Sequence, residues 1–301
     1  MRKLSRRIAS VALAAAMLFT TAGAAQTEVE AASTGKLSVT GYQNYNDAQK
    51  VLKEVNKYRK KYGRKALKMD QGLTNSAITR GFETTIYIPE TSPHRRPNGK
   101  LAKTINKKII YENCAQSAGM TPKQIVKGWM NSSSHKKGIL LSNAKSVGVA
   151  AITVVTKDGY DANTWVLDFS SSKAGKVEKS KKKKKFTKNI VTKNEYLKKS
   201  YLKMNSRYGT IWETETMPMK PTYQGKKMKE YGVYPTVINA SSFTSWKSSK
   251  PSVATVDSKG KITGKKAGTT TISAKLKTGT KITISKKIKV VPTDQQINPW
   301  E

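Results

Sequence analysis

Two short motifs hold the only two histidines of this 301-residue chain, and both could contribute to one chemical site. His94 begins the sequence His-Arg-Arg-Pro-Asn-Gly, and His135 ends the sequence Trp-Met-Asn-Ser-Ser-Ser-His. Glu112 lies between them, in Tyr-Glu-Asn. Two imidazoles and a carboxylate suit metal-assisted hydrolysis, and they suit ligand binding equally. We therefore expect His94, Glu112 and His135 to share a pocket.

Three helices are predicted around these motifs. Residues 46–49 resemble a capping box, and apolar residues follow at helical spacing as far as Gly63. A second apolar helical pattern spans residues 73–86. The third helix has the clearest beginning, with Thr121 as the N-cap, then a proline, and a glutamine three residues after the cap.

The hydrophobic pattern then changes to a period of two. Residues 147–155 and 164–169 alternate as strands do, and Asp158-Gly159 between them is a turn signal. Helices followed by strands predict an α+β domain that ends near Ser172.

The remaining chain is divided by a lysine-rich segment. Nine of the sixteen residues from Lys173 to Lys188 are lysine, so residues 173–193 are predicted to form an extended and mobile linker. Short alternating strands with Gly, Asn and Ser turns follow. They predict a small β-sandwich over residues 194–292 and leave 293–301 as a tail.

The N-terminal residues have the pattern of an export signal. A cationic start, an apolar run and a small-residue cleavage site predict a signal peptide over residues 1–24. Residues 25–45 are predicted to be a flexible leader, and no later stretch is apolar enough to span a bilayer. Cys114 is the only cysteine, which excludes an intramolecular disulfide. We therefore expect a bacterial protein that is secreted, either free or associated with the cell wall.

The charge of the chain is strongly positive and uneven. The formal net charge is +38, and residues 171–301 carry 30 basic and 8 acidic side chains. Such a field attracts polyanions, of which wall polymers, anionic lipid headgroups and extracellular nucleic acid are the candidates. The lysines could equally serve only to keep a secreted protein soluble.

Residues 46–172 resemble the CAP superfamily, also called SCP-like, which includes cysteine-rich secretory proteins and plant pathogenesis-related proteins. Bacterial members have His-Thr-Arg-Pro-Asp-Gly in place of residues 94–99, Gly-Glu-Asn-Ile in place of 111–114, and Trp-Met-Asn-Ser-Pro-Gly-His-Arg in place of 129–136. Residues 147–150 and 165–169 are similar to the closing strands of the family. The resemblance implies an α-β-α sandwich.

The C-terminal part resembles the bacterial Ig-like domains of group 2. Residues 246–257 carry the resemblance, together with Gly-Lys-Ile-Thr at 260–263 and Ala-Gly-Thr-Thr-Thr-Ile at 267–272. From residue 194 to this block, earlier strands of the same sandwich are assumed. The predicted fold class is therefore α+β, with a CAP sandwich followed by a small all-β Ig-like sandwich.

The CAP resemblance also implies a cleft in which two histidines and one or two acidic residues meet. The matching positions are His94, Glu112 and His135, and His94 and His135 could hold a metal there. Zinc suits two imidazoles and a carboxylate, with a fourth position left open. Many eukaryotic members have a second glutamate where this chain has Ser132, and Glu83 is the candidate substitute.

Three nearby positions each have a chemical and a structural interpretation. Cys114 could act as a nucleophile, but the family usually has an aliphatic residue there, which favours a small buried thiol. Trp129 is expected in the core rather than at a binding surface. Residues 132–134 place hydroxyls near His135, but nothing in the sequence marks an oxyanion hole.

These observations leave three functions open. The architecture and the charge favour an exported, non-catalytic binding module with an unknown ligand in its cleft. Its basic linker and Ig-like domain would hold it at an anionic cell surface. The two histidines and the carboxylate leave a metal-assisted peptidase or nuclease as an alternative. Lipid or sterol binding is known for distant CAP members and rests on the resemblance alone.

Overall fold

The structure is a computed structural model that describes residues 34–86, 94–155, 161–177, 180, 182–206, 208–230, 232–278 and 281–293. The predicted signal peptide, the Asp158-Gly159 turn and the tail beyond residue 293 lie outside the described residues. Within the described part of the chain, no helix is both long and apolar enough to cross a membrane.

The described residues of the first part of the chain form six strands and four α-helices. In chain order they are β1 Thr34–Asn44, α1 Tyr45–Lys61, β2 Lys68–Met69, α2 Gln71–Thr84, β3 Tyr111–Ser117, α3 Pro122–Met130, α4 Ser133–Ile139, β4 Ser146–Val155, β5 Asp161–Ser170 and β6 Lys183–Lys193. The strands form one sheet of order β3-β5-β4-β1-β6, and the short β2 pairs with β4.

Helices cover both faces of this sheet, as the α-β-α prediction requires. Successive residues of β4 enter different layers because side chains alternate along a strand. Val147 and Val149 are buried with residues of α1, α3 and α4. Ala150 and Ile152 are buried with residues of α2. The α+β fold class is therefore confirmed.

The helix starts follow local capping chemistry. At α3, the Thr121 hydroxyl accepts from the Gln124 amide while the Gln124 side chain accepts from the Thr121 amide, so the predicted capping box is confirmed. At α1 the N-cap is Asn44, two residues earlier than predicted. At α2 the cap is Asp70, whose carboxylate accepts from the Leu73 amide at 2.8 Å.

The flexible leader predicted over residues 25–45 is wrong for Thr34–Asn44. This segment is β1, which lies between β4 and β6 in the sheet. Leu37 and Val39 are fully buried. Alternating apolar residues at 35–41 therefore stabilise a strand whose two neighbours come from much later in the chain.

The mobile linker predicted over residues 173–193 is also wrong for its second half. Lys183–Lys193 is the edge strand β6, which pairs antiparallel with β1 along its whole length, from Thr34 opposite Lys193 to Asn44 opposite Lys183. Ile190 is buried against α2 and β1. Backbone pairing and the burial of Ile190 outweigh the mutual repulsion of the lysines, because Lys183, Lys184 and Lys185 are exposed to solvent.

The described residues of the second part of the chain are mainly β, with one short α-helix and three 3-10 turns. Its elements are β7 Leu202–Lys203, β8 Thr210–Trp212, β9 Thr216–Pro218, β10 Thr222–Tyr223, α5 Lys226–Glu230, β11 Thr236–Val237, β12 Phe243–Ser248, β13 Ala254–Val256, β14 Lys261–Gly264, β15 Gly268–Leu276 and β16 Thr283–Val291.

Three sheets divide these strands. Two of them, β12-β15-β16-β8 and β13-β14-β9, contribute Ile272, Ile288 and Ile262 to one buried core. The third, β11-β10-β7, is separate from both. Within residues 194–242, where early strands of the sandwich were assumed, β8 and β9 pair with later strands, whereas β7, β10 and β11 pair only with one another.

The two parts of the chain share a core. Leu37 and Val39 of β1 belong to the same apolar cluster as Leu197 and Ile238. Polar contacts flank this cluster, since the Ser38 amide donates to the Ser242 hydroxyl at 2.8 Å. The Thr236 hydroxyl donates to the carbonyl of Thr85, at the end of α2, at 2.6 Å.

Candidate functional site

A buried ion pair joins α2 to β3 beside the predicted pocket. Arg80 Nε donates to Glu112 Oε2 at 2.8 Å, and Arg80 Nη2 donates to Glu112 Oε1 at 3.0 Å. Both side chains are almost completely shielded from solvent. Burial alone would raise the pKa of Glu112, but the charge of Arg80 and hydrogen bonds from His94 and Arg80 lower it to about 2.

A second carboxylate extends this pair into a network. Arg80 Nη1 donates to Glu83 Oε2 at 2.8 Å, within α2. Glu83 Oε1 accepts from Arg96 Nε at 2.9 Å and from Arg96 Nη2 at 2.7 Å. Glu83 therefore enters the site as a partner of two arginines. Its carboxylate fixes the loop that carries His94, because Arg96 lies two residues after that histidine.

His94 contacts the buried network and is itself partly exposed to solvent. Its Nδ1 lies 3.2 Å from Glu112 Oε1, and its side chain is 41 % exposed. Since Glu112 is ionised at neutral pH, Nδ1 carries the hydrogen and donates it. The structure thus brings His94 and Glu112 together, as expected from the sequence.

The loop that carries His94 contacts the end of β6. The Lys193 amide donates to the Pro97 carbonyl at 3.0 Å. Gly99 has a φ of 83°, and a Cβ added there would lie 2.5 Å from Lys193 Cε. The left-handed backbone favours glycine at this position, whereas the flexible end of Lys193 can shift to make room for a side chain.

The orientation of the His135 ring is fixed by the residue at the N-terminus of α4. Its Nδ1 lies 2.9 Å from the hydroxyl of Ser132, the N-cap residue of α4. Burial lowers the pKa of His135, and the nearby charge of His94 lowers it further. His135 is therefore neutral at neutral pH. The residue that replaces the second family glutamate, Ser132, fixes the ring instead of supplying a carboxylate.

β3 positions α4 through two hydrogen bonds to its backbone. Asn113 Nδ2 donates to the His135 carbonyl, and Tyr111 Oη donates to the Ser134 carbonyl, both at 2.9 Å. A Cβ at Gly138 would lie 2.7 Å from Asn113 Oδ1 and from the Tyr111 ring. The Tyr-Glu-Asn motif thus places Glu112 in the network while its two neighbours fix His135.

Two further titratable groups lie behind Glu112. Asp168 of β5 pairs with Glu112 across the strands and is completely buried. Among the described residues neither of its carboxyl oxygens has a hydrogen-bond partner. Burial, then the charge of Glu112, raises the pKa of Asp168 well above its usual range. Burial likewise raises the pKa of the Cys114 thiol, so Cys114 is protonated and unsuited to nucleophilic attack.

The residues present do not fit the zinc site implied by the resemblance. Both oxygens of Glu112 accept hydrogen bonds from Arg80, and a cation would have to displace that guanidinium from a buried position. Nowhere in the described segments are three His, Cys, Asp or Glu side chains arranged to hold one ion. The expectation that His94 and His135 hold a metal is therefore not supported by their surroundings.

Sequence reasoning missed Arg80, which organises the network. Its position carried a signal, because Leu73, Ala77 and Arg80 follow one another on the same face of α2 at i, i+4 and i+7. An arginine on an otherwise apolar face indicates a buried partner.

Trp129 is 3 % exposed in the core, which confirms the prediction that it is a core residue rather than part of a binding surface.

Comparisons with known proteins identify both parts of the chain. Residues 52–169 match the cysteine-rich secretory protein family (CAP), and residues 213–295 match the bacterial Ig-like domain of group 2. The chain therefore carries a CAP domain followed by a bacterial Ig-like domain, a combination that points to an extracellular protein.

Among individual proteins, the uncharacterized protein YkwD of Bacillus subtilis (strain 168) is 33 % identical over 119 residues, which are 38 % of this chain and 44 % of that protein. The chain thus covers less than half of its curated relative.

Solved structures with similarity include an outer surface protein of Borrelia burgdorferi, with 19 % identity, a TM-score of 0.32, and coverage of 43 % of this chain and 98 % of that one. An extracellular SCP-domain protein of Bacillus anthracis has 17 % identity, a TM-score of 0.32, and coverage of 42 % of this chain and 41 % of that one.

Proposed function

We propose that this chain is an exported, non-catalytic binding protein that is retained at an anionic bacterial surface. The observation that carries the non-catalytic part is the Arg80–Glu112 pair. A carboxylate held by a bidentate arginine has a pKa of about 2 and both oxygens occupied, so it is a poor general base at neutral pH. It serves to hold His94 in place.

The two histidines suit recognition of a ligand rather than its conversion. His94 presents one ring edge to Glu112 and is partly exposed, while His135 is neutral and oriented by Ser132. Two positioned imidazoles can donate and accept hydrogen bonds to a polar ligand. The predicted signal peptide over residues 1–24 would bring this domain out of the cell.

Retention is supported by the distribution of charge. The lysines of β6 are held on an ordered edge, and the basic excess of residues 171–301 continues through the Ig-like part. An ordered lysine surface binds phosphate-rich wall polymers through counterion release, and such binding weakens steeply with salt.

The test is sedimentation of the full mature chain with purified bacterial walls. We expect the protein to pellet with native walls at low salt and to be released at high salt. Walls stripped of their phosphate polymers by mild acid provide the control and should retain much less protein. Failure to pellet at low salt, or equal retention by stripped walls, would refute surface retention through polyanions.

A further inference from the structure

A groove separates the exposed side of α2 from the edge strand β6. It encloses about 450 Å³. Its walls include none of the cleft residues His94, Glu112 or His135, so it is a distinct surface feature. The residues that line it are Asn75, Ser76, Ile78, Thr79, Ile105, Phe186 and Lys188.

The alternation of β6 builds one wall of the groove. Ile190 and Thr192 are buried on the face of β6 that is turned toward α2. Because side chains alternate, Lys188, Phe186 and Lys184 continue the same face toward the start of the strand. The strand therefore presents an aromatic ring between two lysines at the place where the apolar core ends.

Both neighbouring lysines contact that ring. Lys184 Nζ and Lys188 Nζ each lie 5.8 Å from the centroid of Phe186. Cation–π contacts hold the ammonium groups beside the ring, where their positive charge can attract an anionic ligand. A partly buried phenyl ring with cations on both sides suits a ligand that alternates carbon-rich units with anionic groups.

The opposite wall supplies polar groups from α2. Asn75 Oδ1 accepts from Gln71 Nε2 at 2.9 Å, which orients the side-chain amide. Its Nδ2 group donates to no atom of the described residues, and Asn75 is one of the residues that line the groove. The Thr79 hydroxyl donates to the Asn75 carbonyl at 3.1 Å and keeps its lone pairs for a ligand.

Three lysines of β6 have no acidic partner among the described residues. Lys183, Lys185 and Lys188 form no ion pair with any described acidic residue, and Lys183 and Lys185 are exposed. Lysines on an edge strand also prevent strand-to-strand aggregation, which would explain the charge alone. That role does not explain an aromatic ring placed between two of them beside a groove.

We propose that this groove binds a segment of a phosphate-linked sugar or polyol polymer. The phosphates would contact Lys184 and Lys188, and the carbon unit between them would lie on Phe186. The proposal rests on the function proposed above. It places the contact that retains the protein at the bacterial surface in one groove, instead of in the whole basic surface of the protein.

The experiment measures binding of poly(glycerol phosphate) to the full mature chain at about 0.1 M salt by calorimetry. Phe186→Leu keeps an apolar side chain without the ring, and Lys188→Gln removes one charge. Lys259→Gln and Tyr62→Ala are matched controls on exposed residues outside the groove. Thermal unfolding of every variant verifies that it is folded.

We expect the Phe186→Leu and Lys188→Gln double variant to raise the dissociation constant about tenfold. The Lys259→Gln and Tyr62→Ala double variant should change it less than about twofold. Phe186→Leu alone should weaken binding of poly(glycerol phosphate) and leave binding of inorganic polyphosphate, which has no carbon units, unchanged.

Equal weakening by the groove variant and the control variant would overturn the site and leave diffuse surface retention intact. Equal loss of both polymers on Phe186→Leu would overturn the role of the ring. Absence of binding by the unmodified chain, even at low salt, would overturn both the groove and the proposed retention.

Discussion

Asn239 and Ser38 are joined by two hydrogen bonds across the boundary between the two parts of the chain. The Asn239 amide donates to the Ser38 carbonyl at 2.8 Å, and Asn239 Nδ2 donates to the Ser38 hydroxyl at 3.0 Å. Nδ2 also reaches the Thr40 hydroxyl at 2.9 Å. The β1 strand is thus fixed directly to the segment that precedes β12 of the Ig-like part.

This contact predicts that the two parts unfold together. We expect a single calorimetric transition whose van't Hoff and calorimetric enthalpies agree. Asn239→Ala should lower the free energy of unfolding by about 1–2 kcal/mol, because it removes two side-chain hydrogen bonds. Thr244→Ala, at an exposed position, is the control. Two well-separated transitions in the unmodified protein would contradict the shared core.

Arg80→Met should strongly destabilise the fold. The substitution leaves Glu112 and Glu83 buried without their main counter-charge, which costs about 3–5 kcal/mol. Lys57→Met removes one partner of the exposed Lys57–Glu54 pair and should cost at most about 1 kcal/mol. Urea unfolding of both variants measures the difference. A cost for Arg80→Met as small as that of the control would show that the network contributes little.

The pH dependence of stability should separate Glu112 from Asp168. The folded-state pKa of Glu112 is about 2, below its usual 4.5, so its contribution is present above pH 4.5. That contribution is lost as the pH falls toward 2, by on the order of 3 kcal/mol. Urea unfolding between pH 2 and 5 in an Asp168→Asn background measures it. A flat profile there would mean that Glu112 is not held by Arg80.

Asp168 contributes with the opposite sign. Its raised folded-state pKa means that the folded chain keeps a proton that the unfolded chain releases above about pH 4. Stability therefore falls with rising pH, by about 1.4 kcal/mol per pH unit until the folded carboxyl ionises. Asp168→Asn is neutral and similar in shape, so it should remove this slope and be the more stable form at pH 7. Identical slopes for both proteins between pH 4 and 7 would refute a neutral Asp168.

Ile190→Ala tests whether the lysine-rich segment is an ordered strand. Ile190 is 3 % exposed against α2 and β1, so its truncation should cost about 2–4 kcal/mol. Asn189→Ala, at the neighbouring exposed position, should change stability by less than about 0.5 kcal/mol. If both substitutions were equally neutral, residues 183–193 would behave as the mobile linker that their composition predicts.

Zinc should bind this chain weakly. Because Arg80 occupies the carboxylate of Glu112, calorimetric titration with zinc is expected to give no site tighter than about 1 μM. Any residual heat should be unaffected by His94→Ala. Submicromolar binding that His94→Ala and His135→Ala abolish would instead establish the metal site that the family resemblance implies.

The sequence predicted best where neighbouring residues determine the structure. The Thr121–Gln124 capping box and the alternation of residues 147–155 are local patterns, and both elements form as expected. β1 and β6 were missed because each depends on a partner far away in the chain. Composition at 173–193 favoured disorder, whereas Ile190 and eleven residues of pairing with β1 determine the outcome.

Within the site, the motifs marked His94 and Glu112, and His94 Nδ1 lies 3.2 Å from Glu112 Oε1. The role of Arg80 depends on which helix face is turned toward β3, and that is a property of tertiary packing. The same holds for Ser132, where the absence of a family glutamate could be read from the sequence but the contact with His135 could not.

The pairing of β1 with β6 has a consequence for how the chain acquires its fold during synthesis. β1 emerges first, yet its edge partner is complete only when Lys193 has been made. Contacts between residues this distant in sequence form slowly. Until they form, Leu37 and Val39 are not fully buried. We therefore expect the N-terminal strand to reach its final pairing only after Lys193 has been made.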